Sequence, residues 1–196
     1  SALLSEGTSY ELQFHNSAAW FIGLTLKDVE SWSFLAGSSL AELLIVRGTG
    51  NTYDGGGNTD TLYADWSSAT NAITWVNAPS TTQVVNGNTL SDIERMLVTT
   101  GSGNDKIDNS YTGNNTNDYI DTGTGNDTIK GGTGVDTLYG GSGDDVISIF
   151  DQGLVDGGIG YDTVTISSIY QPYNIGHRWV SNAVAADWST SYAGVS

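Results

Sequence analysis

Carboxylates and glycines recur in this chain at a fixed spacing. From Gly113 to Ser148 the sequence reads in nines, ending Gly-Gly-Thr-Gly-Val-Asp-Thr-Leu-Tyr and Gly-Gly-Ser-Gly-Asp-Asp-Val-Ile-Ser. The sixth position is always Asp (Asp118, Asp127, Asp136, Asp145) and the eighth always aliphatic (Ile120, Ile129, Leu138, Ile147). Glycine dominates the first, second and fourth positions, with Gly123 and Gly125, Gly132 and Gly134, and Gly141 and Gly143 at the second and fourth. Glycine takes positive φ at little steric cost, so Gly-Gly-x-Gly makes a tight turn whose carbonyls can converge. A carboxylate two residues later adds a charged oxygen to that ring. Hard oxygens in a flexible turn suit Ca²⁺, whereas Mg²⁺ demands stricter geometry and zinc favours His or Cys.

The elements that must position these acids follow from the same spacing. Each Asp-x-aliphatic-x segment reads as a short strand with one side chain pointing inward. Two nines make one coil, so turns eighteen residues apart stack on the same side. Asp118 with Asp136, and Asp127 with Asp145, have that spacing, and each pair is expected to hold an ion between coils. Asp145 and Asp162 are one residue short of it, and Asp105 and Asp127 exceed it by a four-residue insertion around Asn109 to Thr112. The fifth-position residues Asn104, Asn117, Asn126 and Asp144 are expected to orient the turns rather than to ligate.

The unit resembles the G-G-x-G-x-D-x-U-x nonapeptide of the RTX family. The resemblance is close over residues 100–165 and loose over 26–63. It implies an all-β fold, a right-handed parallel β-roll (a β-solenoid), in a secreted, extracellular protein. It also implies several Ca²⁺ ions held by the turns of Asp60, Asp105, Asp118, Asp127, Asp136, Asp145 and Asp162 and their glycines. Members of this family usually leave the cell by a one-step route and fold outside it, where calcium is abundant. The chain itself looks like a monomeric module of a larger bacterial surface protein, most like an RTX adhesin.

A longer internal repeat surrounds this core. Leu26 to Ser38 matches Leu90 to Ser102, with Asp28, Val29 and Glu30 aligned on Asp92, Ile93 and Glu94. The second copy runs into a nine carrying Asp105 and Ile107. The first should run into one at Ala36 to Leu44, where Leu43 keeps the inward position and Ala41 replaces the acid. That is a coil expected to have kept its core and lost its ion. Asp54 to Tyr63 supplies a further turn, with Asp60 as the acid, Leu62 inward and Asn58 in place of a glycine. Asp156 to Thr165 is its near copy, with Asp162 and Val164. Between them and the four regular nines, residues 149–156 form a shortened turn holding Asp151 and Gly153.

These features divide one solenoid domain, 1–196, into four parts. Residues 1–35 form an amino-terminal cap with strands near Tyr10 to Phe14 and Trp20 to Leu26. Residues 36–99 are degenerate coils with a loop excursion at 64–89, including a polar loop from Pro79 to Asn88. Residues 100–165 are the calcium-binding roll, and 166–196 a carboxy-terminal cap, where Ala186 to Ser189 echoes Ala64 to Ser67.

Composition narrows the function. The 196 residues carry 22 acidic and 6 basic side chains, a formal charge of −16, which repels nucleic-acid phosphates. There is no cysteine, so bound metal takes the stabilising role that disulfides have in many secreted proteins. No apolar run reaches membrane-spanning length. About five ions, an estimate from the candidate Asp pairs, would bring roughly +10 against that charge. The histidines His15 and His177 have neither zinc-like spacing nor a nucleophile motif beside them, and no acid pair stands out for glycoside chemistry, so no catalytic residue is expected. The third and fifth positions are too irregular for an ice-binding lattice.

Aromatic residues outside the repeats offer a ligand face: Trp66, Trp75, Tyr173, Trp179 and Trp188, for a glycan or a peptide on a cell surface. Their alternative use is to plug the ends of the roll against edge pairing. Two functions follow as expectations. One is a calcium-dependent adhesion module with ligand-binding loops. The other is a calcium-driven folding and secretion module of an exported enzyme or toxin.

Overall fold

The computed structural model describes residues 9–13, 23–27, 41–111, 113, 115–150, 152–167 and 178–179, with the first two segments and the last as backbone. The expectations for His15, His177, Asp151, Tyr173 and Trp188 lie outside the described residues. So does the Trp179 side chain.

The chain divides into two compact units, Ser1–Ser33 and Phe34–Ser196. In the first, β1 (Ser9–Gln13) and β2 (Gly23–Lys27) form an antiparallel pair, with Tyr10 opposite Leu26.

In the second unit the strands follow in chain order. They are β3 (Leu43–Ile45), β4 (Thr52–Asp54), β5 (Thr61–Asp65), β6 (Thr74–Val76), β7 (Gln83–Val85), β8 (Asn88–Ser91), β9 (Arg95–Thr99) and β10 (Lys106–Asp108). They continue with β11 (Tyr119–Asp121), β12 (Thr128–Lys130), β13 (Val135–Ser142), β14 (Val146–Phe150), β15 (Gln152–Ile159), β16 (Thr163–Ser167) and β17 (Arg178–Trp179). A seven-stranded parallel sheet runs β17-β15-β13-β11-β9-β5-β3, and a five-stranded parallel sheet runs β16-β14-β12-β10-β6. From β9 to β16 successive strands alternate between the two, so each coil contributes one rung to each sheet. The protein is all-β, a stacked parallel β-solenoid.

The core is a pair of apolar columns facing each other. Trp75, Ile107, Ile129, Ile147 and Val164 stand in register down the shorter sheet. Ala64, Val98, Ile120, Leu138 and Val155 do so down the longer one. The four nonapeptide aliphatics Ile120, Ile129, Leu138 and Ile147 are fully buried. The period of two along a strand sends each eighth-position side chain inward and its neighbours out.

Three expectations change here. Leu43 is 56% exposed and it is Leu44, at 4%, that packs inward opposite Leu62. The degenerate coil is therefore one residue out from its alignment, and Glu42 rather than Ala41 falls in the acid position. With the guiding glycines gone, only stacking on the next coil sets that register.

The segment 64–76 is not an excursion. Its turn stacks on the turn at 101–104, where Ser102 N–H donates to the Ala69 carbonyl, and β6 joins the shorter sheet. Trp66 and Trp75, expected on a ligand face, are 5% and 1% exposed. Their rings meet edge-on at 6.3 Å inside the core. The polar loop after Pro79 likewise holds a hairpin, β7 to β8, turning at Asn86-Gly87 with φ of +43° and +75°. With β4 it forms a separate three-stranded sheet.

Candidate metal centre

The stacked coils gather the repeat acids into ladders along the turns. On one side Asp105, Asp127, Asp145 and Asp162 follow one another, and each backbone N–H donates to Oδ1 of the next: Asp105 to Asp127 at 2.7 Å, Asp127 to Asp145 at 2.8 Å, Asp145 to Asp162 at 3.1 Å. Ile73 N–H opens this ladder by donating to Asp105 Oδ1 at 2.6 Å. On the other side Asp118 N–H donates to Asp136 Oδ1 at 3.0 Å. Both irregular spacings are thus absorbed by the connecting turns. Beyond Asp136 the same register position holds Gly153, which has no carboxylate to continue that ladder.

One oxygen of each acid is therefore spent on the neighbouring coil. The other, Oδ2, is buried and meets no hydrogen-bond donor in Asp60, Asp105, Asp127, Asp136, Asp145 and Asp162. An uncompensated buried carboxylate oxygen is costly, and a bound cation removes that cost. Burial pushes Asp127, Asp136 and Asp145 up to about 6, against the hydrogen bonds from neighbouring N–H groups that pull the other way. Side-chain oxygens of this kind, repeated on flexible turns rich in carbonyls, fit Ca²⁺. Among the described residues no three acidic, His or Cys side chains converge on one point. Backbone oxygens would complete the coordination.

The glycines make the stacking possible. Gly123, Gly125, Gly132, Gly134, Gly141 and Gly143 all have positive φ, from +81° to +135°. Gly141 shows why a side chain is excluded: at φ +100° its Cβ would overlap the Gly123 carbonyl oxygen one coil away. At the first position, a Cβ on Gly140 would collide with Asp145 Oδ2. The fifth-position residues stitch the coils in the opposite sense. Asn104 Oδ1 accepts from Asn126 N–H, Asn126 Oδ1 from Asp144 N–H, Asn117 Oδ1 from Val135 N–H and Asp144 Oδ1 from Tyr161 N–H.

Asp118 is held differently from the other repeat acids. Its Oδ1 accepts from Met96 N–H at 2.8 Å and Thr116 Oγ1 at 3.1 Å, and its Oδ2 accepts from Asn109 Nδ2 at 2.7 Å. Both oxygens are occupied within the protein, and the insertion that lengthens this coil delivers Asn109. Burial still pushes Asp118 up to about 7.

Two acids that the glycine pattern does not mark also join a ladder. Glu42 N–H donates to Asp60 Oδ1 at 2.7 Å, and Asp60 N–H donates to Glu94 Oε2 at 2.8 Å. Glu42-x-Leu44 and Glu94-x-Met96 repeat the acid-x-apolar spacing of Asp60-x-Leu62 without its glycines. That spacing was the available signal. Asn58, in place of a glycine, takes φ +90° and so keeps the turn's shape.

A turn-lined, two-sided parallel solenoid with an open carboxylate oxygen on rung after rung is a calcium-binding β-roll. Residues 112–147 match the family model for the RTX calcium-binding nonapeptide repeat, in four copies. The chain carries RTX repeats, which bind calcium and mark a secreted protein. No curated protein matches the chain.

Proposed function

We propose that the chain is the calcium-dependent adhesion module of a secreted RTX adhesin. It folds on Ca²⁺ after export and then binds a glycan or peptide on a cell surface. The observation that carries the calcium step is the row of buried Oδ2 atoms without donors. The adhesion step rests on a tyrosine strip on the outer face of the longer sheet, since Trp66 and Trp75 belong to the core. Tyr63 and Tyr119, 45% and 37% exposed, both lie opposite Leu97, and the Tyr119 and Tyr139 rings are 5.8 Å apart. Aromatic faces beside acids such as Asp121 suit sugar rings and their hydroxyls.

The burial of Trp66 and Trp75 favours one other reading, a folding and secretion module of an exported enzyme or toxin without a ligand of its own. Neither reading assigns catalysis to the chain. A calcium titration followed by circular dichroism, repeated with magnesium, tests the shared step. A cooperative gain of β signal with calcium alone is expected, and a chain fully folded in chelator would sink it. The calcium-loaded protein then goes onto glycan and peptide arrays beside Tyr119→Ala. Binding lost in the variant supports adhesion, and no binding by the parent favours the secretion module.

A further inference from the structure

The outer face of the longer sheet carries rings at a regular interval. Tyr63, Leu97 and Tyr119 stand in one register column on the successive strands β5, β9 and β11. Both tyrosines are exposed, and the leucine between them is half-buried. Neighbouring rungs of a sheet lie about 4.8 Å apart, which puts the two tyrosines about 10 Å from each other. Tyr139, on β13, comes one rung beyond Tyr119 and two residues along, with its ring tilted by 54° to that of Tyr119. The column it belongs to runs beside the first and is acidic, holding Asp65, Asp121 and Asp156. All four strands are paired on both sides. A peptide seated by main-chain hydrogen bonds needs a free sheet edge, and this strip has none.

We infer that the strip binds a single chain of a neutral β-1,4-linked polysaccharide, laid along the solenoid axis with one sugar to each rung. The inference rests on the adhesion reading and names its ligand. Equatorial linkages keep such a chain extended, and each sugar is turned over relative to the last, so alternate units present the same face. That two-unit repeat fits the two-rung interval between Tyr63 and Tyr119, whose rings meet the apolar C–H faces of alternate sugars. An α-linked chain curls away from a straight strip. Asp65 and Asp121, each two residues beyond a tyrosine on the same face, accept hydrogen bonds from sugar hydroxyls and repel an anionic glycan. The tilt between Tyr119 and Tyr139 keeps the rings out of one plane, which suits a single twisted chain and not a flat crystalline surface. From Tyr63 to Tyr139 the strip covers four rungs, hence four sugars.

Titration calorimetry of the calcium-loaded full chain, with soluble β-1,4-linked glucose and N-acetylglucosamine oligosaccharides of two to six units, tests it. Affinity for at least one series should rise up to four sugars and then level off. Tyr63→Ala and Tyr119→Ala should each lower it about tenfold, and Tyr119→Phe, which keeps the ring, by less than about threefold. Each alanine variant is checked by circular dichroism in calcium, and either one decides if the other does not fold. The inference is overturned by no binding of either series, by unchanged affinity in the folded alanine variants, or by tighter binding of an anionic glycan such as polygalacturonate. Binding to insoluble cellulose or chitin without binding of the soluble chains overturns it as well. Array binding to a peptide instead, lost in Tyr119→Ala, removes the inference and leaves the adhesion reading standing. Silence on both glycan and peptide arrays sinks the adhesion reading too.

Discussion

At the scale of single residues, the structure separates acids that look alike in sequence. Asp118 and Asp136 occupy the same repeat position and stack directly, yet Asn109 takes the second oxygen of one and nothing takes that of the other. An acid already satisfied within the protein has little to offer an ion. Asp136→Asn should therefore lower the calcium stoichiometry measured by titration calorimetry, whereas Asp118→Asn should leave it unchanged, since an amide can still accept the Met96 N–H. Equal losses in the two variants would show that Asn109 gives way when calcium arrives.

At the scale of elements, each rung is short, often three residues, and cannot hold itself. Its stability comes from the inward side chain packed between rungs above and below, and from turns that the next coil caps. Ile129 lies between Ile107 and Ile147 and is fully buried. Ile129→Ala should cost about 2–5 kcal/mol in chemical denaturation of the calcium-loaded protein, the usual range for such a truncation. A cost below about 1 kcal/mol would mean that the coils relax around the gap. On the outer face, Lys130 reaches Asp108 at 3.0 Å across neighbouring rungs. Burial would raise Asp108, but hydrogen bonds from Ser110 and this lysine outweigh it and hold the carboxyl below its ordinary value.

At the scale of the whole molecule, a formal charge of −16 opposes compaction until cations or protons reduce it. Burial raises Asp118 to about 7 and Asp127, Asp136 and Asp145 to about 6 in the folded chain. For a carboxyl raised above its unfolded value of about 3.9, the stabilising contribution is present below that value and disappears as the pH rises through the folded one. In chelator the chain should consequently gain β signal by circular dichroism as the pH is lowered from 8 to 5. No gain on acidification would mean that these carboxyls are not buried in the calcium-free state. With calcium present the dependence reverses, because protons then compete with the ion for the same oxygens.

By itself, the sequence determined the period, the turn chemistry and hence the coil. Glycine at positive φ, an acid at the sixth place and an aliphatic residue at the eighth are local requirements, so a nine-residue repeat states them openly. The spacing of Asp105, Asp127, Asp145 and Asp162 was enough to put them on one side of the roll, despite two irregular intervals. Only the tertiary structure decided what happens where that pattern fades. Leu44 rather than Leu43 turned inward, and Glu42 with it, because a one-residue slip costs nothing locally and only the neighbouring coil's Leu62 and Asp60 select the register. The core placement of Trp66 and Trp75 and the capture of Asp118 by Asn109 are long-range facts of the same kind. Each depends on which side chains meet when coils stack, and spacing along one chain carries no record of that.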